Sequence, residues 1–157
     1  MSEEIHYLTP EGLSEHEERL NFLRNVRRQQ VAERLRLALE EGGELVENAE
    51  YEDAKNEQAF IEGEILRLEM ILSNAQIIEE SASKDTVGLG DKVTVQEVGV
   101  DSVEVYYLVG AAEANPRAGK ISHKSPLGRA LMDHHVGDKV VVEAPDGDLI
   151  FEIKAIE

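Results

Sequence analysis

No Pro or Gly interrupts residues 13–41, and within them Leu13, Leu20, Leu23, Val31, Leu35 and Leu39 recur at helical steps with charged residues between them. That pattern specifies one long amphipathic helix. Thr9-Pro10-Glu11 marks its start. Thr can cap the free N–H groups, Pro suits the first helical position, and Glu complements the positive helix end. Gly42-Gly43 stops the run, as Gly does at helix C-termini. About 33 residues at ~1.5 Å rise give a rod of roughly 50 Å. A second periodic run extends from about Glu47 to Asn74, where Ile61, Ile65, Leu68 and Leu72 step by 4, 3 and 4 and Ala54 extends the stripe backwards. Neither helix carries enough apolar surface to stand alone, so the stripes must face each other. The short Gly-containing turn makes the pair antiparallel.

The period changes near residue 80. Ser81-Ala82-Ser83-Lys84-Asp85 reads as a small polar linker. Lys92–Gln96 and Ser102–Val109 alternate like strands. Ser125-Pro126 opens a short helix to about Asp133, with Ser as cap and Pro at the first position. Lys139–Glu143 and Leu149–Ile153 flank Pro145-Asp146-Gly147-Asp148, and Asp-Gly between such runs signals a hairpin. The expected fold class is α+β. An antiparallel α-helical coiled-coil hairpin fills residues 1–80, and a small sheet domain with one short helix fills 81–157.

Composition limits the chemistry. The 157 residues include no Cys and no Trp. Disulfides, zinc–thiolate sites and thiol catalysis are excluded, and the cores must be built from Leu, Ile, Val and Ala. No stretch approaches the ~20 apolar residues of a membrane helix, and the acidic Met1-Ser2-Glu3-Glu4 start is unlike a secretory leader. A cytoplasmic monomer without a membrane partner is expected. The net charge is −17, which repels free nucleic acid. Any action near RNA or DNA therefore needs another molecule to hold the chain there.

The acid is concentrated in the first half, where residues 1–80 hold 20 Asp/Glu against 8 Lys/Arg. Glu44, Glu47 and Glu50 lie at the hairpin turn, spaced by three. On a helical turn they would share one side. Carboxylates so placed can contribute oxygen ligands to Mg²⁺, which takes one or two protein carboxylates and keeps its waters. Completed by carboxylates of another macromolecule, such a site could serve a two-metal phosphoryl-transfer centre. The same acids could simply favour the positive end of the second helix.

Glu44-Leu45-Val46-Glu47-Asn48-Ala49-Glu50-Tyr51, continued by Ala54-Lys55, resembles the tip of the bacterial Gre transcript-cleavage factors. Ile121-Ser122 with Ser125-Pro126-Leu127-Gly128-Arg129-Ala130-Leu131 and Gly137-Asp138 resembles their C-terminal signature. Leu8-Thr9-Pro10-Glu11-Gly12 resembles their opening. The resemblance implies a coiled-coil hairpin followed by an FKBP-like domain. It implies docking at the rim of the RNA polymerase secondary channel, with the hairpin reaching the active centre and the 3′ end of backtracked nascent RNA. There Glu44 and Glu47 would help hold Mg²⁺ jointly with the polymerase, which itself cleaves the RNA. Free protein would bind the metal weakly. The resemblance further implies that Asn48, Tyr51 and Lys55 support the tip or contact RNA, and that Ser122, Ser125 and Pro126 take part in docking. Glu44 stands where the family carries Asp, so its carboxylate reaches one methylene further. Acidic Glu40-Glu41 before the turn points to the GreA type rather than the more basic GreB type.

Other readings predict different behaviour. A Gre-like channel blocker would slow the polymerase without shortening RNA. A prolyl isomerase would need an aromatic-lined pocket, and residues 81–157 offer only Tyr106, Tyr107 and Phe151. A plain coiled-coil adaptor would be indifferent to tip substitutions. His134-His135 point apart on a helix and read as surface residues, and Gly88-Leu89-Gly90 reads as a strand-entry turn rather than a phosphate loop.

Overall fold

A computed structural model describes residues 4–42, 48–79 and 84–157. The fold is α+β, with an N-terminal helical hairpin and a β-sheet domain. Two compact units emerge: Leu13–Asn74, and Met1–Gly12 together with Ala75–Glu157. These units divide the chain differently from the 80/81 boundary drawn from composition. The reason is strand pairing. β1 (His6–Leu8) runs parallel to β2 (Ala75–Ile77), with His6 opposite Ala75 and Leu8 opposite Ile77. The first residues therefore belong with the sheet unit.

The first helical run is continuous in space but not uniformly α-helical. α1 (Pro10–Phe22) passes through a π-helical turn, Leu23–Arg27, into α2 (Arg28–Gly42). Leu23 and Val31 are both buried, yet eight residues separate them, one more than a heptad. A π turn absorbs one extra residue, and so both side chains face the partner helix. Further on, Ala38 is buried while Leu39 is 54% exposed. The expected place of Leu39 on the seam is thus corrected to Ala38, one heptad beyond Val31.

α3 (Ala49–Ser73) returns antiparallel to this rod. Ile61, Ile65 and Leu68 pack with Leu20, Leu23 and Val31, flanked by Leu35 and Leu72. Charged pairs bridge the two sides: Arg19 Nε to Glu64 Oε1 at 2.9 Å, Arg28 Nε to Glu62 Oε1 at 2.8 Å, and Arg34 Nε to Glu50 Oε1 at 2.6 Å. Arg27 and Arg34 also converge on Glu57. Pairs this exposed contribute ~0–1 kcal/mol each. The apolar seam provides the stability, and the pairs favour one alignment of the helices.

In the sheet unit, five strands lie in the order β5-β4-β3-β7-β6. They are β3 (Lys92–Glu97), β4 (Val103–Val109), β5 (Lys120–Ser122), β6 (Lys139–Ala144) and β7 (Gly147–Ile156). Neighbours are antiparallel except the parallel β4–β5 pair. α4 (Pro126–Leu131) ends two residues before the expected Asp133. Its Leu131 joins Val93, Val95, Leu108, Phe151 and Ile153 in the core.

Two glycines test this packing in opposite directions. A Cβ on Gly110 would lie 2.0 Å from the Tyr7 carbonyl oxygen. Gly110→Ala must push β1 away, at ~1–3 kcal/mol for overpacking. The midpoint of thermal unfolding should fall by roughly 5 °C or more. Gly63 lies inside α3, exposed, with nothing within 4 Å of its Cβ position. Gly63→Ala should instead stabilise the hairpin by ~0.5–1 kcal/mol. Calorimetry on both variants reads the two signs.

Candidate functional site

The closed end of the hairpin is held by a small set of side chains. Asn48 is the N-cap of α3, with φ −119° and ψ 94°. The Tyr51 amide donates to its Oδ1 at 3.0 Å. The other half of the same side chain reaches across the hairpin, where Nδ2 donates to the Ala38 carbonyl at 2.9 Å. Asn48 thus satisfies an orphan amide of one helix and bonds a carbonyl four residues before the end of the other.

Glu50, in the first turn of α3, is bonded by Arg34 from α2. That bond holds the Arg34 guanidinium even more firmly protonated than usual. The sequence grouped Glu50 with Glu44 and Glu47 as a tip acid, but here it is a cross-helix tie. One helical turn on, the Lys55 ammonium sits 5.9 Å from the centre of the half-buried Tyr51 ring, within cation–π range. Asn48, Tyr51 and Lys55 therefore occupy successive turns at the start of α3. Glu44 and Glu47 lie outside the described residues. Among the described residues no group of three or more His, Asp or Glu side chains could hold a metal ion.

The second candidate group surrounds the entry to α4. Ser125 Oγ donates to the Ser122 carbonyl at 2.7 Å and accepts from the Gly128 amide at 3.1 Å. Ser122 Oγ accepts from the Lys124 amide at 3.0 Å. Both hydroxyls stiffen the β5–α4 loop. The loop is also tight at Gly128, where a Cβ would lie 2.1 Å from the Ser122 carbonyl oxygen. Pro126 at the first helical position is exposed. The Lys124 ammonium is exposed too and pairs with Glu4 at 2.7 Å. Nearby, His123 packs edge-on against Tyr7, with ring centres 5.8 Å apart.

Arg34 and Ala38 are parts of the hairpin end that sequence reasoning missed. Neither belongs to a local motif. Their partners lie 16 and 10 residues away, across the turn. The stripe ending at Ala38 rather than Leu39 was the one available signal, through its heptad spacing from Val31.

Residues 6–77 match the family model for the transcription elongation factor N-terminal domain, and residues 82–157 match that for the GreA/GreB C-terminal domain. This chain belongs to the GreA/GreB family of transcription elongation factors. Transcription elongation factor GreA of Clostridium novyi is 44% identical, with 99% of each chain covered. That of Acetivibrio thermocellus is 47% identical over 95% of this chain and 94% of the relative. Among solved structures, GreA factor homolog 1 of Thermus thermophilus is 35% identical and covers 98% of this chain and 99% of its own, with a TM-score of 0.45. Both family segments carry candidate residues, Glu44 to Lys55 in the first and Ser122 to Pro126 in the second.

The α4 entry gives a direct test of residue roles. Ser125→Ala removes a capping oxygen and should cost ~1 kcal/mol in chemical denaturation. Pro126→Ala, at an exposed position, should change stability by less than ~0.5 kcal/mol.

Proposed function

We propose that this chain is an accessory factor of RNA polymerase. The sheet unit docks at the rim of the secondary channel, and the hairpin enters the channel. The polymerase is thereby stimulated to cleave backtracked nascent RNA and resume synthesis from the new 3′ end. The observation that carries this reading is a GreA/GreB-family chain whose sequence holds an acidic motif, Glu44 to Tyr51, between the two runs that pair as a helical hairpin. The chain is not itself the catalyst; the polymerase performs the reaction.

Charge supports a protein-first encounter. At −17 the chain is repelled by RNA and DNA, so contacts with the polymerase must bring it to the transcript. Glu44 and Glu47 are the acids that the family resemblance assigns to the active centre, and Glu50 is engaged by Arg34. Their carboxylates are hard oxygen donors suited to Mg²⁺, and two of them are too few for a site of their own. Held jointly with polymerase carboxylates, Mg²⁺ would supply charge stabilisation and an activated water for phosphodiester hydrolysis. Lys55, a cation on the exposed flank of α3, is placed to meet a transcript phosphate. Tyr51 supports that lysine through its ring. On the sheet unit, Ser122 and Ser125 shape the loop that offers Pro126 to the polymerase.

The test uses a backtracked elongation complex with labelled RNA, Mg²⁺ and purified protein. The expected result is release of a short 3′ fragment. Glu44→Ala and Glu47→Ala should each lose most of that activity while still competing with wild-type protein for polymerase. Unshortened RNA with slowed extension would instead identify a channel blocker. Two substitutions that cleave like wild type would overturn the assignment of the acids.

A further inference from the structure

We infer that Asn48 is a positioning residue of the tip: by bonding Ala38 across the hairpin while capping α3, it pins the two points of the chain between which Glu44 and Glu47 lie in sequence. The inference rests on the cleavage reading above and gives Asn48 a role other than contact with RNA. Two bonds of one side chain carry it. Nδ2 donates to the Ala38 carbonyl at 2.9 Å, and Oδ1 accepts from the Tyr51 amide at 3.0 Å. The first bond joins α2 to the residue preceding α3. The second fixes the angle at which α3 begins. Ala38 is 4% exposed and on the seam, so the carbonyl that Asn48 grips belongs to a well-packed turn. The Arg34–Glu50 pair ties the same two helices beside it.

The chemistry of the side chain explains why Asn suits the position. Ser, Asp and Asn all cap a helix well. Only Asn also offers an amide donor. Asp would turn a carboxylate oxygen toward the Ala38 carbonyl, and Ser is too short to span the gap. A role in capping alone would accept all three residues. A role in clamping accepts only Asn. The distinction matters because catalytic geometry is steep: a misplacement of ~1 Å can cost ~100-fold in rate.

The experiment compares wild type, Asn48→Ser and Asn48→Asp. Helix content and thermal midpoint come first: both variants should keep their helix content because the cap survives, with the midpoint lowered by no more than a few degrees for the lost bond to Ala38. Transcript cleavage is then measured against protein concentration on a backtracked polymerase complex. The expected outcome is a maximal rate lowered roughly 10- to 100-fold in both variants, with the half-saturating concentration unchanged. Asn48→Ser keeps the charge, so a loss shared by both variants is not a charge effect. A second measurement needs no polymerase. In NMR the Asn48 side-chain amide protons should exchange more slowly than those of exposed Asn56. Variants that cleave at the wild-type rate, or an Asn48 amide exchanging as freely as that of Asn56, would overturn the clamp. Wild-type protein that fails to cleave would instead sink the functional reading, and this inference with it.

Discussion

The hairpin depends on one narrow apolar seam. α3 and the α1–α2 rod each expose charge on most of their surface, and neither could remain helical alone. Leu20, Leu23 and Val31 facing Ile61, Ile65 and Leu68 supply the contact that makes both helices stable. Everything proposed for the tip follows from that contact, because a seam of side chains in fixed register decides which residues meet at the closed end. The π turn at Leu23–Arg27 belongs to the same constraint. It lets a stripe with one extra residue stay on the seam over its whole length.

Charge plays a different part at each level. Along the hairpin, Arg–Glu pairs cross between helices and favour one alignment while adding little stability. At the closed end, Arg34 takes Glu50 out of the acidic group. Beside that tie stand the Asn48 bonds to Ala38 and Tyr51 and the Tyr51–Lys55 pair. The acid concentrated in the first half is thereby partly taken up in structural ties.

Much of this was legible in the sequence, and the misses have physical causes. The long helices, β3, β4, the hairpin of β6 and β7, and the Ser125 cap all carry periods or turn chemistry that act locally. β1, β2 and β5 have three residues each, too few for alternation to show. Their pairing depends on residues far away in the chain, as His6 with Ala75 illustrates. That is also why the composition shift near residue 80 did not coincide with the compact units. At the tip, the motif from Glu47 to Tyr51 was visible, but the partners of Asn48 and Glu50 were not. Ala38 and Arg34 become neighbours only after the chain has folded back, so no local pattern could announce them.

The central claim is that the closed end of the hairpin meets the 3′ end of RNA inside the polymerase. Its most direct test is photocrosslinking. A photoreactive side chain at position 45, beside the acids, is compared with one at exposed Lys154 on the sheet unit, each added to a backtracked complex carrying 3′-labelled RNA. The account predicts crosslinks to the RNA 3′ end from position 45 and to polymerase protein alone, or to nothing, from position 154. Labelled RNA captured equally from both positions, or from neither while the protein remains bound to polymerase, would contradict it.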